Sequence, residues 1–228
     1  MLLSVLTWNL LHGRSVPPAG HELFDEFAGA LRGWEWDVAL LQEVPPWWPA
    51  RLGERLDADQ RSVLTSRNAL LPARRAIAVR WPDLIKSNGG GANAILVRAD
   101  VVLEHRWRRL CIWPERRWVH AVRLGRAGAW VGNLHGGGPM RDAVRAAASV
   151  TRWAGPAPIV LGGDFNIREL ALEGFEYAGG YSVDHVLVHG LRPVASAVLE
   201  RGRLSDHAPV LVTVDFGLAP RSPEEPSA

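Results

Sequence analysis

Short apolar runs separated by turn-forming residues are the main pattern along the chain, and this pattern predicts many β-strands. The runs are rich in Val, Leu and Ile and are bounded by Gly, Pro, Asn or Asp, as is typical of strands. Their spacing is mostly too short for a repeated strand–helix–strand design. The predicted strands are residues 4–8, 38–42, 77–80, 94–97, 101–107, 118–124, 130–134, 159–161, 182–188 and 210–215.

Three segments instead space their apolar residues as amphipathic helices do. Leu23, Phe27 and Leu31 fall on one face of the first segment, and Val144 and Val150 are expected on the inward face of the third. The predicted helices are residues 21–34, 46–56 and 139–154. Many strands, with a few helices between distant ones, predict an α/β (α+β) fold in which two sheets pack face to face with helices outside.

The length of 228 residues suits a single domain. We expect this domain to span residues 1–216, because residues 217–228 are rich in Pro, Ser and Glu and predict a disordered tail. The single cysteine, Cys111, excludes an internal disulfide and a cysteine-based zinc site. The chain shows no signal-peptide pattern and no apolar run near the ~20 residues of a membrane span. We therefore expect a cytoplasmic monomer without stable membrane insertion.

The formal net charge of +2 is only mildly basic and does not by itself indicate a nucleic-acid partner. One run, residues 104–123, interleaves arginines with tryptophans. Arginine can bind phosphates and tryptophan can stack on bases, so the run could form a platform for single-stranded nucleic acid. The alternative is an exposed hairpin whose arginines face solvent and whose tryptophans pack inward.

Polar residues stand at the ends of several predicted strands, where a rigid scaffold can present a site. Each of them alone has an ordinary explanation as a turn, capping or solvated residue. Those explanations would have to hold at every strand end together, so we favour one shared site. The residues are Asn9, Glu43, Asn133, His135, Asp164, Asn166, Asp184, Asp206 and His207.

These residue types supply what phosphoester hydrolysis requires. Mg²⁺ prefers carboxylate oxygens and needs only one or two from the protein, and Glu43 can supply one. A carboxylate can orient or deprotonate an attacking water, asparagine can donate to phosphate oxygens, and histidine can protonate a leaving oxygen. Asp164 and Asn166 are two residues apart after an apolar run, so we expect them on one side of a strand. The two glycines before Asp164 are expected to let a ligand approach the backbone closely.

The same residues lie in motifs that follow one another from about residue 4 to residue 214: TWNLLHG, LLQEV, GGGANAILVR, VGNLHGG, VLGGDFNI, SVDHVLV and LSDHAPV. In these motifs the chain resembles the endonuclease/exonuclease/phosphatase superfamily, the metal-dependent phosphoesterases that are similar to deoxyribonuclease I. The combination of GGDFN with SDH about 40 residues later is specific. The resemblance implies a four-layer α/β/β/α sandwich, the deoxyribonuclease I-like fold.

The metal and phosphate contacts implied by the resemblance come from four residues. Glu43 and Asp206 would be the carboxylate ligands of Mg²⁺ or Mn²⁺, and Asn9 would lie near both the metal and the phosphate. Asn166 would contact the substrate phosphate and belongs to the catalytic set as well.

The remaining catalytic residues implied by the resemblance are an aspartate that positions water and two histidines. Asp164 would position the nucleophilic water, and Asp184 would orient His207. His135 matches the histidine of the deoxyribonuclease I, sphingomyelinase and inositol-phosphatase branches, although Leu134 stands where these branches often have threonine. We expect His207 to stabilise charge on the phosphoryl group and His135 to protonate the departing oxygen, with an exchange of these roles left open.

Two further features have competing interpretations. His12 lies close to Asn9 in the sequence and could face the cleft, but a structural role is favoured. The glycine-rich segment 87–96 could cradle a phosphate with its backbone N–H groups or form a turn into the next strand. It lacks the Lys–Ser/Thr pair of a nucleotide-binding P-loop.

Together these features predict a divalent-metal-dependent hydrolase of phosphoester bonds. The expected substrate is a phosphodiester, with nucleic acid and a small-molecule or phospholipid headgroup as the competing classes. The alternative is a catalytically weak relative that acts as a nucleic-acid-binding module. The presence of every expected metal ligand and both histidines argues against that alternative.

Overall fold

The computed structural model describes residues 1–65, 68–85, 91–98, 100–113 and 115–216. The predicted tail and residues 87–90 of the glycine-rich segment lie outside the described residues. The helices are α1 (Phe24–Gly33), α2 (Trp48–Leu56), α3 (Leu71–Arg80), α4 (Pro82–Ile85) and α5 (Met140–Ala154). The strands are β1 (Leu2–Asn9), β2 (Val38–Val44), β3 (Asp59–Leu64), β4 (Ala92–Val97), β5 (Val102–Cys111), β6 (Arg117–Leu124), β7 (Trp130–His135), β8 (Ile159–Asp164), β9 (Glu176–Tyr181), β10 (Asp184–His189), β11 (Arg192–Val198) and β12 (Val210–Asp215).

Within the described residues, the strands form two six-stranded sheets. The first sheet has the order β11-β12-β1-β2-β4-β3, and the second has the order β5-β6-β7-β8-β10-β9. β1 runs parallel to β2, and β7 runs parallel to β8. Asn9 at the end of β1 hydrogen bonds to Asp164 at the end of β8. The carboxyl ends of both parallel pairs therefore meet at one end of the molecule, which we call the site end.

Apolar side chains pack in three layers around these sheets. Val5, Leu40 and Val131 belong to the cluster between the two sheets. On the outer side of the first sheet, α1 and α2 bury Phe27 and Leu52 together with residues of β1 and β2. On the outer side of the second sheet, α5 packs against β6, β7 and β8. This arrangement confirms the predicted four-layer sandwich.

The prediction of a strand at residues 77–80 is wrong, because these residues form the second half of α3. A short apolar run does not by itself distinguish a strand from a helix. The proline at residue 72 lies in the first turn of this helix, where its fixed backbone angle is favourable. The predicted inward position of Val144 is also wrong, since this side chain is exposed while Ala143 and Val150 beside it on α5 are buried.

Three strands were not predicted from the apolar pattern. Most residues of β3, β9 and β11 are exposed or half-buried. Strands without a fully buried face lack the apolar run that marks β2 or β8, and β9 in addition contains Gly179 and Gly180. The described part of the chain contains no helix whose length and apolar character would allow it to cross a membrane.

Candidate active site

Asp164, Asp184 and His207 form the centre of the candidate site. Asp164 ends β8, Asp184 begins β10, and the antiparallel register places these two residues opposite each other. His207 lies just before β12, and its Nδ1 is 2.7 Å from Asp184 Oδ2. His207 Nε2 is 3.9 Å from Asp164 Oδ2. The sheet register thus places the two aspartates side by side, and His207 pairs with one of them next to the other.

Asn9 fixes the position of the Asp164 carboxylate. Asn9 Nδ2 donates a hydrogen bond of 3.0 Å to Asp164 Oδ2, and Asn9 Oδ1 accepts one of 2.9 Å from the backbone N–H of Leu11. Because both ends of the amide are engaged, its orientation is defined. Ser205 Oγ donates to the Asn9 carbonyl and accepts from the His207 N–H, so this serine connects β1 to the segment that carries His207.

Asn166 does not lie on a strand, which corrects the expected placement of Asp164 and Asn166 along one strand face. β8 ends at Asp164, and Asn166 has a φ of +54° in the following turn. Its backbone N–H donates to Asp164 Oδ1 at 2.9 Å, as in an Asx-turn, and its Nδ2 donates to the Gly136 carbonyl at 3.0 Å. Asn166 therefore stays beside Asp164 through a turn, and its phosphate-binding role stays a prediction.

The glycine before Asp164 allows two strands to pack closely. This differs from the expectation that it lets a ligand approach the backbone. Gly163 has a φ of +142°, and a Cβ there would lie 2.0 Å from the Leu134 carbonyl oxygen of the neighbouring β7. No side chain fits at that distance. The glycine thus lets β8 approach β7 closely, which brings His135 and Asp164 into the same register pair.

Glu43 and His135 lie on the other side of Asp164. Glu43 lies within an irregularity in the pairing of β2 with β4 and has a φ of +48°. Its carboxylate is 3.2 Å from His12 Nε2 and 3.7 Å from His135 Nε2. His135 Nε2 is also 3.5 Å from Asp164 Oδ2. His135 therefore lies between the two carboxylates, and His12 faces the cleft against the favoured structural interpretation.

The two histidines of the predicted pair have opposite pKa shifts. Burial holds the pKa of His135 well below its usual value, and the positive charges of Arg117, His12 and His207 lower it further. Burial also opposes protonation of His207, but the hydrogen bond and charge of Asp184 outweigh burial and raise the pKa of His207 to about 9. At neutral pH, His135 is therefore neutral and His207 is protonated.

Both buried carboxylates next to His207 have raised pKa values. Burial raises the pKa of Asp184 to about 6, against the hydrogen bond and charge of His207. Burial likewise raises the pKa of Asp164, against the charge of His207 and the hydrogen bond from Asn9. A raised pKa makes an ionised carboxylate a stronger base, which suits a group that accepts a proton from water.

Asp206 and Asn133 lie outside this centre. The Asp206 side chain is 53% exposed, and its Oδ1 is 3.9 Å from His207 Nε2. Asn133 is buried between the sheets, where its Nδ2 donates to the carbonyls of Leu41 and Ala94. Asn133 thus joins the two sheets behind the site, whereas Asp206 stands at its edge and its metal-binding role stays a prediction.

A model of the endonuclease/exonuclease/phosphatase family matches residues 6–207 of the chain. The chain belongs to this family. The matched range contains all residues of the candidate site described above, from Asn9 to His207. No curated protein sequence shows significant similarity to the chain.

Solved structures of this fold include other family members. An endonuclease/exonuclease/phosphatase from Beutenbergia cavernae DSM 12333 is 20% identical, with a TM-score of 0.70 over 97% of this chain and 73% of that chain. D. rerio TDP2, humanized by 14 mutations, is 15% identical, with a TM-score of 0.67 over 94% of this chain and 99% of that chain. A mannosyl-6-phosphatase from Bacteroides thetaiotaomicron VPI-5482 is 18% identical, with a TM-score of 0.63 over 94% of this chain and 100% of that chain. These identities show a shared fold.

Enzymes of the endonuclease/exonuclease/phosphatase family generally depend on a divalent metal, and the site contains suitable donors. Asp164, Asp184 and His207 offer ligand atoms within 4.8 Å of one another. However, His207 Nδ1 is engaged by Asp184, and a protonated His207 would repel a cation. The carboxylates of Glu43 and Asp164 both lie near His135 Nε2, at 3.7 Å and 3.5 Å. Carboxylate oxygens suit a hard cation such as Mg²⁺. The carboxylates of this family member therefore offer oxygen donors that suit a divalent cation.

Two residues of the site were not assigned to it from the sequence. His12 follows β1 in a short turn with a φ of +54°, and this turn brings its ring to Glu43. The periodicity of β1 ends before His12 and gives no indication of where its side chain points. Ser205 is buried with a φ of +61° and lies in the family motif LSDHAPV, directly before Asp206 and His207. Its place in that motif was the available signal.

Proposed function

We propose that the protein is a divalent-metal-dependent phosphodiesterase that hydrolyses its substrate by in-line attack of water. The observation that carries this proposal is the position of the Asp164 carboxylate between two histidine rings, with Oδ2 3.5 Å from His135 Nε2 and 3.9 Å from His207 Nε2. A phosphodiester reaction needs a base for the water and an acid for the leaving oxygen in one site. His207 and Asp164 offer these two functions at neutral pH.

Asp164 is proposed to position and deprotonate the water. Its Oδ2 is held by Asn9, and its Oδ1 is held by the backbone N–H of Asn166. These two hydrogen bonds fix the carboxylate plane, so a water bound to it has a defined direction of attack. Preorganisation of this kind lowers the entropic cost of the reaction.

His207 is proposed to be the proton donor, which exchanges the roles expected for the two histidines from the sequence. A general acid must carry a proton at the working pH. Asp184 raises the pKa of His207 to about 9, whereas burial holds the pKa of His135 well below its usual value. His135 in its neutral form can still contact Glu43 or a phosphate oxygen through one ring nitrogen, so we assign it a positioning role.

Glu43 is proposed to hold Mg²⁺ or Mn²⁺ at the phosphate, whereas the expected ligand role of Asp206 has less support, because Asp206 lies at the edge of the site beside the protonated His207. A bound divalent cation would stabilise negative charge on the phosphoryl oxygens. Asn9 and Asn166 are proposed to face the same phosphate. The alternative, a catalytically weak relative that acts as a nucleic-acid-binding module, has less support. Every residue proposed to bind the metal or to take part in catalysis is present in the chain.

The proposal is tested with a panel of phosphoesters at fixed Mg²⁺ and at fixed Mn²⁺. The panel contains bis(p-nitrophenyl) phosphate, plasmid DNA, single-stranded DNA, RNA, phospholipid vesicles, inositol phosphates and a sugar 6-phosphate. We expect turnover of at least one diester that stops with EDTA and returns with metal. Asp164→Asn is the matched inactive variant. Turnover that persists in EDTA or in this variant would contradict the proposal.

A further inference from the structure

Exposed apolar side chains lie next to the site in the chain segment between β3 and β4. Leu70 is 80% exposed, Leu84 is 71% exposed and Trp81 is 55% exposed. α3 itself contains no fully buried residue. Between this helix and Trp47 lies a hollow of about 350 Å³, lined by Pro46, Trp47, Leu71, Pro72 and Arg75. Packing of the core therefore does not explain why this segment is apolar.

This segment is fastened beside the candidate site. The Thr65 N–H donates to the Gly91 carbonyl at 2.9 Å, which closes the base of the segment where β3 ends and β4 begins. Asp83 accepts a hydrogen bond from the Gly20 N–H at 3.0 Å and pairs with Arg14 Nε at 3.5 Å. Both contacts tie the segment to the loop that follows β1. The same loop carries His12, whose ring contacts Glu43.

A second pair of exposed apolar residues lies at the site end of the other sheet. Ile112 and Trp113 follow β5 at the tip of the β5–β6 hairpin, and Trp113 is 82% exposed. The register of β6 with β7 pairs Val119 with Leu134, so the start of β6 lies near His135. The hairpin tip therefore lies at the same end of the sandwich as α3 and α4. We call residues 70–84 and 112–113 the rim.

The charge of the rim is complementary to an anionic surface. Residues 70–84 contain three arginines, Arg74, Arg75 and Arg80, and a single acid, Asp83, which is engaged by Arg14 and Gly20. Arg80 lies with its Cζ 5.5 Å from the centre of the Trp81 ring. Basic residues beside leucine and tryptophan on a polar protein surface are the composition of a membrane-interface segment.

We propose that the rim docks on a phospholipid bilayer that contains anionic lipid. A nucleic acid would pair with the arginines and could stack on Trp113, but it offers no apolar partner for Leu70, Leu84 and Ile112. A bilayer interface accepts aliphatic side chains, tryptophan and arginine together. Docking at this end brings lipid headgroups to Asp164 and His207. That consequence, with a phospholipid headgroup as the substrate class, rests on the proposed function, whereas docking itself does not.

The experiment is co-sedimentation of the full chain with vesicles, in EDTA so that no hydrolysis occurs. The vesicles are phosphatidylcholine alone or phosphatidylcholine with phosphatidylglycerol. We expect preferential binding to the mixed vesicles, reduced by salt. Leu84→Ser and Trp113→Ser should each weaken partitioning by about tenfold, and Arg80→Ser by about fivefold on the mixed vesicles. Leu103→Ser is the matched control, because Leu103 is 57% exposed on β5 away from the rim.

Absence of vesicle binding by the wild-type chain, or equal binding by Leu84→Ser and the wild type, would overturn the docking proposal. Binding of single-stranded DNA that is lost in the same variants would assign the rim to nucleic acid. Self-association lost in these variants would assign it to a second copy of the chain. Turnover of bis(p-nitrophenyl) phosphate should be unchanged in Leu84→Ser. If vesicles bind and no phosphoester is hydrolysed, the proposed function fails while docking stands.

Discussion

The imidazole of His207 donates its Nδ1 proton to Asp184 Oδ2 across 2.7 Å, and the two residues lie on separate segments of the second half of the chain. Asp184 begins β10 in the second sheet, whereas His207 precedes β12 in the first sheet. The contact thus bridges the two sheets at the site end. It fixes the ring so that Nε2 faces Asp164, and it determines the proton state on which the proposed acid depends.

The first prediction concerns the pH dependence of stability in EDTA. The pKa of His207 rises from 6.5 when unfolded to about 9 when folded. The unfolded state therefore loses its proton first, and the stabilisation is complete below pH 6.5 and is lost as the pH rises to 9. Asp184→Asn should reduce this loss, because the amide keeps a hydrogen bond without the charge. Thermal melts of both proteins at pH 6 and pH 9.5 measure the difference.

Asp184 acts in the same direction at lower pH. Its pKa is raised to about 6, so the native state holds this proton more tightly than the unfolded state between pH 3.8 and 6. The stability of the protein therefore decreases as the pH rises through that window. Melting temperatures that decline equally from pH 6 to 9.5 in wild type and Asp184→Asn would contradict the pairing. Such a result would show that Asp184 does not control the proton on His207.

The second prediction concerns Asp164→Asn, which should lower kcat by about 10²- to 10⁴-fold with little change in KM. The substitution removes the proposed base. It also replaces an acceptor of the Asn9 amide, because one end of the new amide is a donor. Asp215→Asn, at the opposite end of the molecule, is the control and should keep wild-type kcat. Near-normal kcat in folded Asp164→Asn would refute the assignment.

The sequence predicted the fold and many of the residues that lie at the candidate site, but it did not assign His12 and Ser205 to this site. Polar residues directly after apolar runs, such as Asn9 after β1 and Asp164 at the end of β8, share an edge once two parallel pairs bring their carboxyl ends together. The strand at residues 77–80 was predicted wrongly because a short apolar run carries no period. Edge strands such as β11 were not predicted, because most of their side chains are exposed to solvent and their sequences lack an apolar run.

The chemistry within the site depends on contacts that no spacing encodes. Burial, together with the charge of Arg117, lowers the pKa of His135. The hydrogen bond and charge of Asp184 raise the pKa of His207. The approach of His12 to Glu43 depends on two residues with positive φ angles. Neither angle follows from residue type, because only a few per cent of non-glycine residues have a positive φ.

The third prediction assigns His12 a positioning role at Glu43. His12 Nε2 is 3.2 Å from Glu43 Oε2, so it orients the carboxylate proposed to bind the metal. His12→Ala should raise the Mg²⁺ concentration for half-maximal activity by about 10- to 100-fold. Saturating Mg²⁺ should restore most of the turnover, and His12→Gln should recover part of the affinity because its amide can donate to Glu43. A lower melting temperature with unchanged Mg²⁺ dependence would indicate a structural role only.

The last prediction separates the two histidines by leaving group. A nitrophenolate is a weak base and departs without a proton, whereas an alkoxide requires one. If His207 is the acid, His207→Ala should lose about 10²- to 10⁴-fold in kcat on an alkyl phosphodiester and much less on bis(p-nitrophenyl) phosphate. His135→Ala should lose similar factors on both esters, because a neutral, buried His135 supplies no proton to either.

The comparison requires both variants on both esters at saturating metal, with Asp164→Asn as the common inactive reference. The sequence alone suggested that His135 is the acid. In that case, the activity loss of His135→Ala would depend on the leaving group, and that of His207→Ala would not. That outcome would mean that a bound metal or substrate reverses the pKa order set by Asp184 and by burial. Full activity of both variants on both esters would exclude a paired-histidine mechanism, and Asp164 would then have to act without either ring.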